Sequence, residues 1–325
     1  KMIEPSKRNF AIALIFIILT SLAGCGLNKK DWNMNTLFEK VKDQFKNNSI
    51  VGLQEDNTRI VATSQLIDPA GETIHFAGRP VDLALNNSGS LLAVKNNTSI
   101  VFMNAEMHKV IQTLKLPSGG HSFTGITWSL DDQKVWTTDT KGYLRAARSA
   151  NGSFIWDDAI LLPGLDANDK SGSYPGGLAI DNEKGIAYVA LSRNNTLGIV
   201  NLKTKQLESQ IKVGISPYTV LIQNNYAYVS NWGGRQPLSG DKVGPSGGSS
   251  VVIDPKTGIA STGTVSVIDL TSQKVIKEID VHLHPSDMIS SPDKTHIYVA
   301  NANSDLISVI DTRTNTLTKD LSSKP

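Results

Sequence analysis

The chain has 325 residues, of which 39% are apolar and 19% charged, and a formal net charge of +2. Lys1, Lys7 and Arg8, offset by Glu4, carry that whole excess, so the side chains from Cys25 onward balance to zero. A near-neutral body with 6% aromatics argues against a nucleic-acid partner, whose phosphates call for a basic face, and a single cysteine excludes an internal disulfide.

Residues 1–24 read as an export signal. Lys7 and Arg8 form a positive start, and residues 10–19 are an unbroken apolar run too short for a permanent membrane span. Leu22-Ala23-Gly24-Cys25 resembles the lipobox of bacterial lipoproteins. That resemblance implies acylation of Cys25, and a membrane partner held by the acyl chains. It places the protein in the bacterial cell envelope, and the non-Asp residue Gly26 implies the periplasmic face of the outer membrane if the cell is Gram-negative. Residues 25–58 are polar and read as a tether. Leu37, Val41 and Phe45 recur at four-residue steps that suit a short amphipathic helix.

From residue 59 the pattern turns to β. Residues 59–63 and 73–76 are expected strands, separated by the turn sequence Asp68-Pro69-Ala70-Gly71. Repeat starts follow at Pro80, near Gly125, at Pro175, at Pro217 and at His284. Three strand cores echo one another: Ala187-Tyr188-Val189-Ala190, Ala227-Tyr228-Val229-Ser230-Asn231 and Ile297-Tyr298-Val299-Ala300-Asn301. Tyr228 follows Tyr188 by 40 positions, and Tyr298 follows Tyr228 by 70. The longer step is one repeat plus a Gly-, Ser- and Pro-rich insertion at about 232–262. A repeat near 40 residues built of short strands predicts an all-β fold, a β-propeller of four-stranded blades over 59–325.

Tyr228-Val229-Ser230-Asn231, Ala302-Asn303-Ser304-Asp305 and Val265-Ser266-Val267-Ile268-Asp269 resemble the YVTN family of propeller repeats, which includes YncE-like exported proteins. Asn231-Trp232-Gly233-Gly234-Arg235, the Gly-rich insert and Asp254-Pro255-Lys256-Thr257-Gly258 narrow the resemblance. They look like the N-terminal propeller of larger bacterial proteins that also carry an alkaline-phosphatase-like phosphoesterase domain. The family implies seven blades. About five full repeats can be counted, so the chain is expected to be truncated, with its last blades beyond Pro325; the alternative is a complete, smaller propeller of five or six blades.

Chemistry-bearing motifs are sparse. His282 and His284 would share one strand face and offer two metal ligands, against the alternative that both sit in a loop entering a blade. Asp82, Asp181, Asp254, Asp269 and Asp311 recur near turns, where carboxylates cap backbone N–H groups; a shared calcium site at the axis is the rival reading. No cofactor and no metal site is assigned, and no catalytic residue. The best binding candidate is the axial mouth, where loops entering the innermost strands converge, with Arg79, His121, Tyr174, Tyr218 and His284. Trp232 and Arg235 in the insertion are a second. The expected function is a lipid-anchored envelope module binding an unknown protein, peptide or small molecule. The alternatives are the recognition module of a larger phosphoesterase and a lactonase-type propeller enzyme.

Overall fold

The computed structural model describes residues 51–323, except 55–57, 69, 118–119, 158 and 166–171. The export signal, Cys25 and residues 26–50 lie outside the described residues. Two compact units divide the chain, residues 1–73 and residues 74–325. Every regular element among the described residues is a strand.

The first unit holds a three-stranded antiparallel sheet of two-residue strands, β1 (Gly52–Leu53), β2 (Arg59–Ile60) and β3 (Leu66–Ile67). β1 falls inside the segment expected to be tether. The strand expected at 73–76 does not form; Ile74 and Phe76 instead pack as irregular chain against Val94, Val101 and Met103.

The second unit is five antiparallel blades, each built of strands consecutive in the chain apart from one insertion. Blade one is β4 (Pro80–Leu85), β5 (Leu91–Asn96), β6 (Ser99–Asn104) and β7 (Lys109–Lys115). Blade two is β8 (His121–Trp128), β9 (Lys134–Asp139), β10 (Tyr143–Ala150) and a broken outer edge, β11 (Ser153–Trp156) and β12 (Ile160–Leu161). Blade three is β13 (Pro175–Asp181), β14 (Ile186–Leu191), β15 (Thr196–Asn201) and β16 (Gln206–Lys212). Blade four is β17 (Ile215–Gln223) and β18 (Tyr226–Gly234), then the inserted hairpin β19 (Val243–Ser246) and β20 (Ser249–Val252), then β21 (Gly263–Asp269) and β22 (Lys274–Val281). Blade five is β23 (Pro285–Ser290), β24 (His296–Asn301), β25 (Leu306–Asp311) and β26 (Thr316–Ser322). Apart from the inserted hairpin, six sheets are present among the described residues, not the five repeats counted in the sequence nor the seven blades of the resembled family. Two-residue strands leave no repeat signal, so the sequence count missed the first sheet.

The first strand of each blade touches the first strand of the next, in the order β4, β8, β13, β17, β23. Apolar side chains from the middle strands, joined by some from the first and outer strands, fill the space between neighbouring blades. Between blades one and two, Phe102 and Phe154 stack with centroids 4.0 Å apart, and Trp128 meets both rings edge-on. Trp128 Nε1 donates to the Ala84 carbonyl at 2.8 Å. Between blades four and five the core is Tyr228, Val265, Val267, Met288, Ile297 and Val299.

An asparagine at or near the end of the second strand is a latch in three blades. Asn231 Nδ2 donates to Thr264 Oγ1 and Ser266 Oγ on β21, and Asn301 Nδ2 to Ser308 Oγ on β25. Asn96 Nδ2 reaches Ser99 Oγ and the Ala77 carbonyl. This gives the repeated Asn a structural reason: its amide ties the end of the second strand to hydroxyls of the third. Four of the five recurrent aspartates cap turns. Asp181, Asp254, Asp269 and Asp311 accept backbone N–H groups two or three residues on. Asp82 differs and crosses to blade two.

Truncating Phe102 to Ala removes a ring that is fully enclosed between blades one and two. The expected loss is about 3–5 kcal/mol, read from urea unfolding; a loss under about 1 kcal/mol would mean the ring is not packed as described.

Candidate functional site

Three blades and the inserted hairpin enclose a cavity of about 260 Å³. Blade two contributes Ser122, Phe123 and Thr124; blade three contributes Tyr174, Gly176, Ser192 and Arg193. Blade four contributes Ser216, Pro217, Tyr218 and Trp232, and the hairpin contributes Ser246 and Gly247.

The inner strands are set for this by irregular pairing. In β13, β17 and β23 the register against the second strand slips just after the leading proline. In β8 the slip is larger: His121 faces Asp139 while Ile126 faces Thr137, so four residues stand opposite Thr138 alone, three more than regular pairing allows. Bulges of this kind re-aim side chains, and here the loop presents Ser122, Phe123 and Thr124 to the cavity. Tyr174, Ser216 and His284 each precede the proline that opens or follows the start of an inner strand, and each has positive φ, 51°, 52° and 53°. Left-handed backbone in a non-glycine residue is costly unless neighbours fix it. The Tyr174 and His284 carbonyls accept from Ser192 N and Ala302 N, and Ser216 N donates to Asn195 Oδ1 at 2.8 Å.

Tyr218, Trp232 and His284 form a continuous stack. Tyr218 lies 4.8 Å from Trp232 at 16°, and Trp232 lies 5.1 Å from His284 at 27°. One residue expected in the insertion thus joins two expected at the axial mouth, and the stack links blade four to blade five. Trp232 Nε1 is enclosed and has no hydrogen-bond partner. Burial, with the fields of Asp82 and Asp287, pushes the Tyr218 phenol above its ordinary pKa.

The hairpin is held as a wall. Gly247 and Gly248 both have positive φ, 56° and 91°, as a two-residue turn of the hairpin type requires. The Arg193 guanidinium packs against Gly248, and Asn195 Nδ2 donates to Ser249 Oγ at 2.9 Å. Arg235 is not part of the cavity lining and grips Asp241 through both carboxylate oxygens at 2.6 and 3.0 Å, which pins the base of the insertion. Among the other residues singled out in the sequence, Arg79 is exposed and outside the lining, and its N–H donates to Asn96 Oδ1. His121 opens β8, where its backbone pairs with Asp139. His282 and His284 do not share a strand face; both lie in the bend between β22 and β23, His282 paired with Asp320 at 2.9 Å. Among the described residues no group of three or more His, Cys, Asp or Glu side chains is placed to hold a metal ion.

Behind the cavity lies Lys95, with none of its surface exposed. Its Nζ contacts four neutral oxygens: Ser122 Oγ, Gly125 O and Thr138 Oγ1 at 3.1 Å and Thr124 O at 2.5 Å. Burial pushes its pKa down to about 7 against the opposing fields of Asp82 and Asp139. Asp82 Oδ2 in turn accepts from Gly125 N at 2.6 Å and Thr124 Oγ1 at 3.0 Å. Sequence reading passed over Lys95, Phe123, Thr124 and Arg193. One signal was present for Lys95: the same register position in the other blades holds Thr138, Ala190, Ser230 and Ala300, all small.

No protein-family model and no curated protein sequence matches the chain. Solved structures do. The chain is similar to Kuenenia stuttgartiensis hydrazine synthase at 16% identity and a TM-score of 0.53, over 76% of this chain and 67% of that one. It is similar to the dihydro-heme d1 dehydrogenase NirN, solved in complex with DHE, at 15% identity and a TM-score of 0.50, over 75% of this chain and 47% of that one. Both relatives contain propellers. The chain is a β-propeller. At these identities the propellers share the fold, and the cavity of this one has to be read from its own residues.

The buried lysine makes the propeller's stability depend on pH in a fixed direction. In the unfolded chain its pKa is about 10.4, whereas in the fold it is about 7. Between those values the unfolded chain binds more protons, so stability rises with pH; below about 7 both states are protonated and the penalty is constant. Urea unfolding between about pH 7 and 9 should show that rise, and Lys95→Met should flatten it. A slope that Lys95→Met leaves intact would contradict the assignment.

Proposed function

We propose that this chain is a lipid-anchored, YVTN-type β-propeller of the bacterial cell envelope whose axial-mouth cavity binds a small anion with a flat apolar body. The anchor rests on Lys7, Arg8, the apolar run of residues 10–19 and the Leu22-Ala23-Gly24-Cys25 sequence. The repeat type rests on the Tyr-Val-x-Asn strands and their latch.

The lining of the cavity supports the ligand class. Phe123, Tyr174, Tyr218 and Trp232 supply four aromatic rings, and Arg193 is the one charged residue among the described lining. Among the described residues no carboxylate lines it. Aromatic walls favour a planar apolar partner through area burial and ring stacking. A guanidinium beside them favours a carboxylate, sulfonate or phosphate group. A volume of about 260 Å³ suits one or two fused rings with one polar substituent. Left-handed Tyr174 and Ser216 are lining positions with a fixed backbone, which favours a preformed site and a lower ordering cost of binding.

1-Naphthoate is a suitable probe. Calorimetric titration should show saturable binding, and Tyr218→Ala and Arg193→Ala should each weaken it by about tenfold or more, equivalent to about 1.4 kcal/mol. Arg79→Ala, which lies outside the lining, should leave the affinity unchanged. Equal affinity in all three variants would place the ligand elsewhere on the propeller.

A further inference from the structure

Lys95 and Ser122 are better matched to each other than a passive floor requires. Lys95 lies in β5 and reaches across to the looped-out segment of β8. A neutral amine at Nζ has two N–H bonds and one lone pair. Thr124 O and Gly125 O are carbonyls, so they accept the two N–H bonds. The remaining neighbours are two hydroxyls, Ser122 Oγ and Thr138 Oγ1, each 3.1 Å away. Thr138 Oγ1 donates to the Gly176 carbonyl at 2.7 Å, so its proton is already committed. The Ser122 hydroxyl, which also has Thr138 Oγ1 at 2.9 Å and the Thr124 carbonyl at 3.3 Å within reach, can then turn its proton to the Lys95 lone pair. Of the two hydroxyls, Ser122 is the one that lines the cavity.

We propose that Ser122 and Lys95 form a nucleophile–base pair that hydrolyses short-chain acyl esters of flat aromatic alcohols seated in the cavity. The proposal rests on the reading of this cavity as a site for aromatic ligands. Ser122 keeps only 2% of its surface open, so only a small acyl group such as acetyl reaches Oγ, while the leaving group lies against the aromatic wall. In the first step Ser122 Oγ bonds to the ester carbonyl carbon and its proton passes to Lys95 Nζ, which becomes an ammonium. The carbon–oxygen bond to the leaving group then breaks, and that oxygen takes the proton from Lys95. Water attacks the acyl-serine, giving its proton to Lys95, which returns it to Ser122 Oγ as the carboxylic acid leaves. Ester and water become acid and alcohol with no change of oxidation state.

The surroundings suit that work. A lysine base must be neutral near the working pH, and desolvation is the means proteins use to achieve it; burial pushes Lys95 in that direction. The charged groups whose fields reach Nζ are Asp82 on β4 and Asp139 on β9, and Asp139 is itself held by Arg145 on β10. Neither carboxylate touches the amine, so neither locks it as a permanent ion pair. Thr138 is a positioning residue, 2.9 Å from Ser122 Oγ.

The test uses the full chain with 4-nitrophenyl acetate, following phenolate release and the intact mass, with 1-naphthoate titrated in parallel. The expected result is an acetyl group on the Ser122 peptide and a rate that Ser122→Ala lowers by about 100-fold at unchanged melting temperature. The rate should climb as pH passes through about 7 and then level off, a readout that needs no Lys95 variant to fold. Equal rates in Ser122→Ala, or no acetyl on Ser122 while 1-naphthoate still binds, would overturn the proposal and leave the binding site standing. Loss of 1-naphthoate binding in the unaltered protein would overturn both.

Discussion

The close approach of neighbouring inner strands is the constraint from which the rest follows. Blades can converge only where the backbone of one lies against the backbone of the next, and side chains stand in the way of that contact. Glycine removes them at the tightest crossing. A Cβ on Gly177 would sit 2.6 Å from Thr219 Cα, and one on Gly125 would collide with the Gly176 carbonyl. These contacts bring β8, β13 and β17 together at their starts, which is where Ser122, Tyr174 and Tyr218 stand. The cavity is thus a consequence of how three blades meet, not a feature of any single one.

Convergence has an electrostatic cost that the molecule meets in two ways. Asp82 leaves the turn-capping role of its fellows and donates its charge across the blade boundary, where Gly125 N and Thr124 Oγ1 hold it. Lys95 is taken fully out of water and surrounded by oxygens, which satisfies its hydrogen bonds but not its charge. The bulge of β8 serves both: it frees the Thr124 and Gly125 carbonyls for Lys95 and turns Ser122 and Phe123 toward the cavity. A structural irregularity in blade two is therefore paired with an unusual residue in blade one.

The repeats were legible in the sequence because they obey local rules. Period-2 alternation, turn-forming Asp and Asn, and the recurring Tyr-Val-x-Asn strand all reflect contacts within one blade. Arg59 and Ile60 could be read as β, but a two-residue strand carries no repeat, so the first sheet escaped the count. The insertion read only as a long Gly-, Ser- and Pro-rich connection, because it repeats nothing elsewhere in the chain. Gly247 and Gly248 instead make a tight hairpin turn that sets Ser246 and Gly247 into the cavity wall. Tyr174, Tyr218 and His284 could be placed at the mouth from their position before or after a proline. Their assembly with Trp232 depends on two blades meeting, and so does the setting of Lys95. Neither relation has a sequence period to reveal it.

The central claim is that blades two, three and four jointly build one ligand cavity at the convergence of their inner strands. A crystal structure of the chain grown with 1-naphthoate tests it most directly. The account predicts the naphthalene ring between Phe123, Tyr218 and Trp232, with its carboxylate turned to Arg193. A ring found at the outer edge of a blade, or in contact with one blade alone, would contradict it.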